Sequence, residues 1–523
     1  MPTAAGVQPA TAAANSTTGL VTFDGNETLI FESISTINVQ LPESSNLTSL
    51  LWFGSAGNLT INNWASSNST APQASPNGLV QIDGTNIDHI SVQNAQATCS
   101  PFCFTMGGAS NSLEITNSVF QHSPGPQVFR PLSTAVWANL TGILTVSNCS
   151  FSDFGTQYGS LSVDAANVTI TSCNFTGNAA GTAGGGLLIT GTGGWGSLGP
   201  QGMVQGWDSA SASLGGWVVV QDSIFTQNSV HGSGGGGAMQ VVNMGNILIN
   251  GSVFQQNQAV TGGNGAAIHI MGTTHQDANI LLNNTVIAGN TVIADPSDSN
   301  GACNVLLESV RCVGMKDTVI EDNVGKGVCI HYVGGGCTFQ DPIWNFGNCE
   351  EDCGPMPFDF SSVNMPQNVS AEIEQFSGFA QYGSFTALYT GGNSSGSSGN
   401  WSSDLSGAVQ ASLDLCVDIR TSVFRNNTVP SQNNTRPFIG GAGLEIKTAQ
   451  PVVIADCVFE SNSGNQGSAV HLDACPSTLI WNSSFDSNIA TYEGGAVALV
   501  NSDGQGLLLG ACNLTRNSGT CIW

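Results

Sequence analysis

A two-part pattern recurs along the sequence and constrains the fold more than any other feature. In residues 456–472 and 482–499, a short apolar strand contains Phe, an Asn follows three residues later, and a Gly-rich step opens a second apolar strand. Self-similarity at a period of a few tens of residues indicates a solenoid of stacked repeats. Further copies of the first half, two of them degenerate, occupy residues 117–123, 148–154, 172–178, 222–228, 251–257, 284–290, 317–323, 421–427 and 511–517.

The spacing within each copy predicts how the coils stack. Residues of like parity on a strand share a face, so the Phe side chains are expected to stack in a dry interior. The Asn falls where the strand must turn, and Asn both tolerates the left-handed conformation and can hydrogen-bond to the Asn above and below. The predicted structural ladders are Phe175, Phe225, Phe254, Phe424, Phe459 and Phe485, together with Asn178, Asn228, Asn257, Asn427, Asn462 and Asn488.

The charge balance excludes one large class of partners. Nine Lys and Arg residues stand against 35 Asp and Glu residues, a formal net charge of -26 at pH 7. Such a surface repels nucleic acid, so no nucleic-acid partner is expected. Apolar runs such as Trp217 to Val220 are far too short to cross a bilayer, so no membrane insertion by this chain is expected.

Breaks in the repeat divide the chain into segments. Residues 1–18 are predicted to be disordered, and residues 19–77 to form strands that begin or cap the solenoid. Residues 78–335 are predicted to form parallel coils. Residues 336–415 are Cys- and Gly/Ser-rich and are interpreted as an insertion, after which residues 416–523 continue the coils.

Sequons and cysteines indicate the compartment. Asn139, Asn174, Asn482 and Asn513 each begin an Asn-x-Ser/Thr sequon, and Asn174 and Asn513 lie between inward-facing residues, so their side chains should point outward. The 15 cysteines also favour an oxidising compartment. We therefore predict an extracellular or cell-surface glycoprotein.

The cysteines fall into two predicted groups. One group precedes the Phe position by two residues and should point inward: Cys149, Cys173, Cys457 and Cys512. Among these, Cys149 and Cys173 could stack as thiols or bond to each other. The other group surrounds the insertion and is expected to form disulfide staples rather than a zinc site: Cys303, Cys312, Cys329, Cys337, Cys349 and Cys353.

Two paired sequence signatures resemble the repeats of a known family. The paired signatures FESN with GSAVHL and FDSN with GGAVAL resemble the repeats of the polymorphic outer membrane protein family and, more broadly, right-handed parallel β-helix proteins of the pectin-lyase-like superfamily. The resemblance implies an all-β fold, a single-stranded right-handed parallel β-helix (β-solenoid) with loop insertions. It also implies a secreted or surface-exposed protein, often adhesive, which would sit at the outer membrane in a bacterium.

The strand after the Gly-rich step holds the most suggestive polar residues. Its outward position is expected to present Gln240, His269, His331, Glu445 and His471. A His beside a carboxylate on a solvated strand can serve acid–base chemistry or a metal, but an ordinary polar outer face is the favoured interpretation. The weak catalytic candidates are Glu445, His471 and Asp473, where Asp473 lies two residues further along.

Two functions remain open at this level. The favoured one is a structural or adhesive module that binds glycans or cell-surface and matrix proteins. The alternative is a polysaccharide lyase or glycoside hydrolase, although the sequence has no Gly-His-Gly and no Asp-Asp pair. No cofactor is predicted, and Ca²⁺ is possible only at scattered loop carboxylates such as Asp295, Asp298, Glu350, Glu351 and Asp352.

Overall fold

The structure is a computed structural model that describes most of the repeats. The described residues are 13–14, 19–24, 28–37, 49–55, 57–70, 80–83, 87–100, 103–122, 134–191, 216–232, 234–260, 265–272, 278–293, 303–333, 417–430, 440–448, 452–475, 478–500 and 507–519. The insertion predicted at residues 336–415 therefore lies outside them, as do the loop carboxylates named for Ca²⁺.

Within the described residues every element is a strand, in 48 short pieces. The first 16 are β1 (Ala13–Ala14), β2 (Gly19–Asp24), β3 (Leu29–Phe31), β4 (Ile34–Ile37), β5 (Ser49–Ser55), β6 (Asn58–Asn62), β7 (Trp64–Thr70), β8 (Val80–Asp83), β9 (His89–Gln93), β10 (Gln96–Ser100), β11 (Phe104–Thr116), β12 (Val119–His122), β13 (Val136–Ser147), β14 (Ser150–Ser152), β15 (Gly155–Tyr158) and β16 (Leu161–Asp164). The next 16 are β17 (Asn167–Thr171), β18 (Asn174–Thr176), β19 (Ala179–Ala183), β20 (Leu187–Thr190), β21 (Trp217–Gln221), β22 (Ile224–Thr226), β23 (Ser229–Val230), β24 (Met239–Val242), β25 (Asn246–Asn250), β26 (Val253–Gln255), β27 (Gln258–Val260), β28 (Ile268–Met271), β29 (Ala278–Asn283), β30 (Val286–Ala288), β31 (Thr291–Ile293) and β32 (Cys303–Glu308). The last 16 are β33 (Val310–Lys316), β34 (Val319–Glu321), β35 (Lys326–Val333), β36 (Val417–Arg420), β37 (Val423–Arg425), β38 (Leu444–Thr448), β39 (Val452–Ala455), β40 (Val458–Glu460), β41 (Ser463–Gln466), β42 (Val470–Asp473), β43 (Thr478–Trp481), β44 (Ser484–Asp486), β45 (Ile489–Glu493), β46 (Val497–Val500), β47 (Leu507–Gly510) and β48 (Asn513–Thr515).

Each coil contributes one strand to each of three parallel ladders. The first face runs through β16, β20, β24, β28, β32, β35, β38, β42 and β46. The second face runs through β17, β21, β25, β29, β33, β36, β39, β43 and β47. The narrow face is a 14-stranded sheet from β4 to β48 that carries the Phe strands. Strands β2 to β9 join the same sheets, so the described part of residues 19–77 stacks with the other coils.

One pairing departs from the parallel arrangement. Strand β1 pairs antiparallel with β2, through Ala13 opposite Thr22 and Ala14 opposite Val21. This pair lies partly in residues 1–18, where the sequence predicts disorder. Every other strand pair in the described residues is parallel. This two-residue antiparallel pair therefore leaves the parallel stack of coils unchanged.

The interior of the narrow face is a stack of aromatic rings. Phe175, Phe225 and Phe254 lie in register with centroid separations of 4.7 Å and interplanar angles of 3° and 2°. Phe424 and Phe459 repeat this stacking at 4.8 Å, and all of these rings are fully buried. Because each ring covers most of the next, every coil depends on its neighbours for a dry core.

Asparagine amides form a second internal ladder beside the rings. The Nδ2 of Asn228 donates to Oδ1 of Asn257 at 3.0 Å and to the Phe175 carbonyl at 2.9 Å, and Asn257 continues the chain to Asn290. One part of the prediction is wrong, since the left-handed conformation belongs to the residue before each ladder Asn, such as Gln227 (φ 57°). The buried Asn is instead held by its amide bonds, which satisfy polar groups at the corner.

The Gly-rich step lets the backbone of one coil cross closely over the next. Gly236 adopts φ 79°, which favours glycine. A Cβ on Gly237 would overlap the carbonyl oxygens of Ala266 and Gln258 on the following coil. The step is therefore required by close backbone contact, and it brings the chain back over the strand that follows.

No helix long and apolar enough to cross a membrane is found in the described part of the chain. The two longest gaps between described coil residues both fall between a strand of the first face and the next strand of the second face. Such breaks separate β20 from β21 and β35 from β36. The coils resume in register after both, because β17 pairs with β21 and β33 pairs with β36.

Candidate functional site

The predicted polar residues do stack on the first face, but they are buried. Gln240 pairs in register with His269, and Glu445 pairs with His471. Gln240 and His269 are each 6% exposed, and Glu445 and His471 are each 0% exposed. The expectation of a solvated outer face is therefore wrong. The Gly-rich corner folds over these side chains, and a Cβ on Gly440 would overlap the Glu445 carboxylate.

His331 belongs to a neighbouring column rather than to this one. The register places Cys329 opposite Glu445 and His331 opposite Lys447. Lys447 in turn lies opposite Asp473. The structure thus brings Glu445, His471 and Asp473 onto two adjacent coils, together with Lys326 and Lys447, which the sequence prediction had not placed there.

The Glu445 carboxylate is the centre of a buried charge cluster. Its Oε2 accepts from Lys326 Nζ at 2.6 Å, and its Oε1 accepts from Lys447 Nζ at 3.0 Å and His331 Nε2 at 3.1 Å. Burial alone would raise the pKa of Glu445, but Lys326, His331 and Lys447 outweigh it and hold the pKa well below its usual range. Glu445 is therefore a charged, saturated acceptor and a poor proton donor.

A second contact between a histidine and a carboxylate lies on earlier coils of the same face. His269 Nε2 is 3.1 Å from Glu308 Oε2, and Gln240 Nε2 is 3.3 Å from His269 Nδ1. The hydrogen bond from His269 lowers the pKa of Glu308, against the opposing effect of burial. Glu445 and Glu308 thus each already contact a basic side chain of the chain itself.

His471 differs from the other histidines of the cluster. It is fully buried, and neither ring nitrogen has a hydrogen-bond partner. Burial lowers its pKa, so the ring is neutral at pH 7. An unpartnered buried imidazole costs free energy and does not mark a general base poised against a reacting group.

The cluster contains one set of side chains with metal-ligand chemistry. The ligand atoms of Cys329, His331 and Glu445 all lie within 4.8 Å of one another. Cys329, however, is disulfide-bonded to Cys303, and Lys326 already places a positive charge against Glu445. The residues present therefore fit an internal ion-pair network better than a metal centre.

The outward side of the narrow face carries a feature that sequence reasoning missed. Six consecutive coils place a β-branched aliphatic residue at one outward position, and we call this column the valine stripe. Its end residues Ile224 and Val458 are 46% and 38% exposed, and the other four are partly exposed. With about 4.8 Å between neighbouring strands, the six residues of the stripe span about 24 Å. Its members are Ile224, Val253, Val286, Val319, Val423 and Val458.

Carboxylates border the valine stripe. Asp222, Asp317 and Asp456 are exposed at the corner on one side of it. On the other side Glu321 and Glu460 occupy outward positions, with Arg425 between them in register. A sequence signal existed, because the residue before the Phe position is Ile or Val in six successive copies.

Comparison with known proteins supports the same architecture. Residues 102–286 match the right handed beta helix region family. The chain is a right-handed parallel β-helix, as the sequence predicts. No curated protein and no solved structure gives a significant match, and the narrower resemblance to polymorphic outer membrane proteins is not confirmed.

The predicted glycosylation positions lie on the outside of the β-helix to different degrees. Asn174 and Asn513 are exposed and lie in the same outward column as the valine stripe. Asn174 is next to Ile224 at one end, and Asn513 lies beyond Val458 at the other end, with Ser484 between them. Asn482 is exposed at a left-handed corner, where its Nδ2 donates to Asp456 Oδ1 at 2.7 Å. Asn139 is only half-buried on strand β13.

The cysteines of the β-helix occupy two environments. Cys149, Cys173 and Cys457 are buried thiols that face inward, and Cys512 is a half-buried thiol. The disulfide between Cys303 and Cys329 joins strands β32 and β35, which are neighbours on the first face. Cys337, Cys349 and Cys353 lie outside the described residues.

Proposed function

We propose that this chain is an extracellular or cell-surface structural and adhesive module, whose valine stripe binds a protein partner. The stripe carries the proposal, because six partly exposed aliphatic side chains in one straight column form an apolar surface that a solvated scaffold does not need. The disulfide Cys303–Cys329 and the exposed sequons at Asn174 and Asn513 support the oxidising compartment.

The side chains of the valine stripe and the carboxylates beside it indicate the class of partner. β-Branched aliphatic residues lack the hydroxyl and amide groups that recognise sugars, so the stripe favours a protein over a glycan. The net charge of -26 and the bordering carboxylates Asp222, Asp317 and Asp456 favour a partner whose apolar ridge is flanked by Lys and Arg. The same charge opposes pairing of two copies of this chain through the stripe.

The test uses phage-displayed random peptides as the probe, with the secreted full chain as bait. Peptides that combine apolar residues with Lys or Arg are expected to be enriched. Their binding should fall at least about tenfold on the double variant Val286→Lys, Val319→Lys, since each change places an ammonium in the apolar contact. The matched control is Val119→Lys, at the same outward column but separated from the stripe by Ser150 and Asn174.

Two results would contradict the proposal. One is enrichment of peptides that bind all three proteins equally, which would place binding elsewhere. The other is shortening of a polysaccharide in a depolymerisation screen with the same preparation, which would favour the lyase or hydrolase. A glycan array run in parallel separates sugar binding from peptide binding.

A further inference from the structure

An amine and a carboxylate touch inside the β-helix at the place where the chain leaves its coils for longest. Lys326 on β35 and Glu445 on β38 are 1% and 0% exposed, and Lys326 Nζ is 2.6 Å from Glu445 Oε2. The two strands are in-register neighbours, although 119 residues separate the two side chains in sequence. The pair therefore closes the stack across the break between Val333 and Val417.

The two groups are shielded from water by the chain itself. Gly440 adopts φ 131°, and a Cβ there would overlap both Glu445 Oε2 and Lys326 Nζ. The backbone of this corner thus lies directly against the two reactive groups. Removing an ammonium and a carboxylate from water is costly, and a neutral amide in the same place carries no such cost.

The surroundings distinguish the two oxygens of Glu445. Oε1 accepts from Lys447 Nζ at 3.0 Å and from His331 Nε2 at 3.1 Å, whereas Oε2 contacts Lys326 Nζ. Two donors on Oε1 are suited to stabilise negative charge on that oxygen while the amine adds to Cδ. Oε2, beside the amine, is placed to take up its protons.

We propose that Lys326 and Glu445 form an intramolecular amide cross-link. Proton transfer from Lys326 to Oε2 yields a neutral amine, and its lone pair attacks Cδ of Glu445 to form the Nζ–Cδ bond. The Cδ–Oε2 bond then breaks and Oε2 leaves as water, carrying two protons that began on the ammonium. Ammonium plus carboxylate gives amide plus water, so the step needs neither an oxidant nor a further reactant.

The cross-link would complete a covalent path across three coils. The disulfide Cys303–Cys329 already joins β32 to β35, and the amide would join β35 to β38. Both links flank the same interruption of the coils. This placement suits an adhesive module under load, because separation of the coils at the interruption would then require breaking a covalent bond.

Mass spectrometry of the secreted full chain tests the proposal. After glycan removal and disulfide reduction, the intact mass is expected to be lower than the sequence mass by about 18 Da, one water molecule. Proteolysis should yield a branched peptide that contains both Lys326 and Glu445. Lys326→Arg keeps the charge but removes the nucleophile, so its mass should show no deficit. The matched control Lys316→Arg, at a partly exposed pair with Asp317, should keep the deficit.

Peptide mapping of the unaltered chain decides the matter even if Lys326→Arg fails to fold. Recovery of the Lys326 and Glu445 peptides separately, with no mass deficit, would overturn the proposal. A branch at Lys447 would overturn the assignment of Lys326 as the nucleophile. The valine stripe takes no part in this test, so its outcome does not depend on the proposed binding function.

Discussion

At the position two residues before each Phe, the chain uses Ser, Thr and Cys interchangeably. Ser223 donates to the carbonyl two residues earlier at 2.8 Å, Thr285 does so at 2.9 Å and Cys457 at 3.2 Å. These side chains are buried, and the small polar group satisfies a carbonyl at the corner. The cysteines at this position are therefore explained by packing and local hydrogen bonding.

Asp164 gives a prediction at the level of one carboxyl group. Its Oδ1 is buried without a hydrogen-bond partner, and burial raises its pKa from 3.8 to about 7. Between these values the folded chain holds a proton that the unfolded chain has lost, so stability falls as pH rises from 4 to 7. Asp164→Asn is expected to be about 2 to 4 kcal/mol more stable than the unaltered chain at pH 8.

Urea unfolding at pH 4 and pH 8 checks this, because the gain should disappear at the lower pH. The exposed Asp88→Asn serves as the control and should show no comparable gain. An equal gain at both values for Asp164→Asn would show that the amide acts through hydrogen bonding and that the charge is irrelevant.

His471 gives a prediction of the same kind for a base. Burial lowers its pKa, so at acidic pH the unfolded chain takes up a proton that the folded chain resists, and stability falls as pH drops below the unfolded value near about 6.5. Leu188 and Leu306 occupy the same column on other coils, so the site accepts leucine. His471→Leu should gain about 1 to 3 kcal/mol at pH 7.

The measurement is unfolding free energy from pH 7.5 to 5, where the gain for His471→Leu should increase towards the acidic end. His89→Leu, at a half-buried ring bonded to Ser112 Oγ at 2.8 Å, is the comparison and should lose stability. A gain for His471→Leu that does not depend on pH would show that the imidazole has the same pKa in the folded and unfolded states, and would contradict the lowered pKa.

At the level of the element, the asparagine ladder is the most specific source of order. Asn257 Nδ2 donates to Phe225 O and Asn290 Oδ1, each at 3.0 Å, and its Oδ1 accepts from the backbone and side chain of Asn228. Asn257→Ala removes these bonds and leaves buried groups unpaired, so the loss should be about 3 to 5 kcal/mol.

Chemical denaturation compares this variant with Asn517→Ala. Asn517 is half-buried, and a described ladder partner lies only on its Asn488 side, so water can replace part of its bonding and the loss should be smaller. Equal losses at the two positions would mean that burial of the ladder contributes little.

At the scale of the whole molecule, stability is expected to be local because each coil contacts its neighbours. The disulfide between Cys303 and Cys329 closes a loop with a sequence separation of 26 residues. The double variant Cys303→Ser, Cys329→Ser should lose about 3 kcal/mol of local stability. Hydrogen exchange should rise in β32 and β35 and remain unchanged in distant β18.

The control is Cys149→Ser, a buried thiol outside this region, at a position where other coils carry serine. It should leave exchange in β32 and β35 unchanged. A uniform rise in exchange along the whole chain of the double variant would show that the β-helix unfolds as one unit. The expected nearest-neighbour behaviour would then be wrong.

Much of this architecture could be predicted from the sequence because its causes are local and repeated. Phe at a fixed parity, Asn three residues later and a Gly-rich step recur with the period of a coil, so they determine the β-helix and its internal ladders. The sequence also predicts a left-handed residue at each corner, but it places that residue one position too far along the chain. Gln256 adopts the left-handed conformation, and Asn257 does not.

Tertiary structure alone decided what surrounds these ladders. Parity puts Glu445 on the outside of its strand, but only the fold brings the Gly440 corner over it and Lys326 against it. Ile or Val before the Phe position is visible in the sequence, yet only the register turns those residues into one exposed stripe. The residue pattern within each repeat determines the conformation of its coil. Contacts between residues far apart in sequence determine which of its side chains are exposed to water, available to a partner or buried against one another.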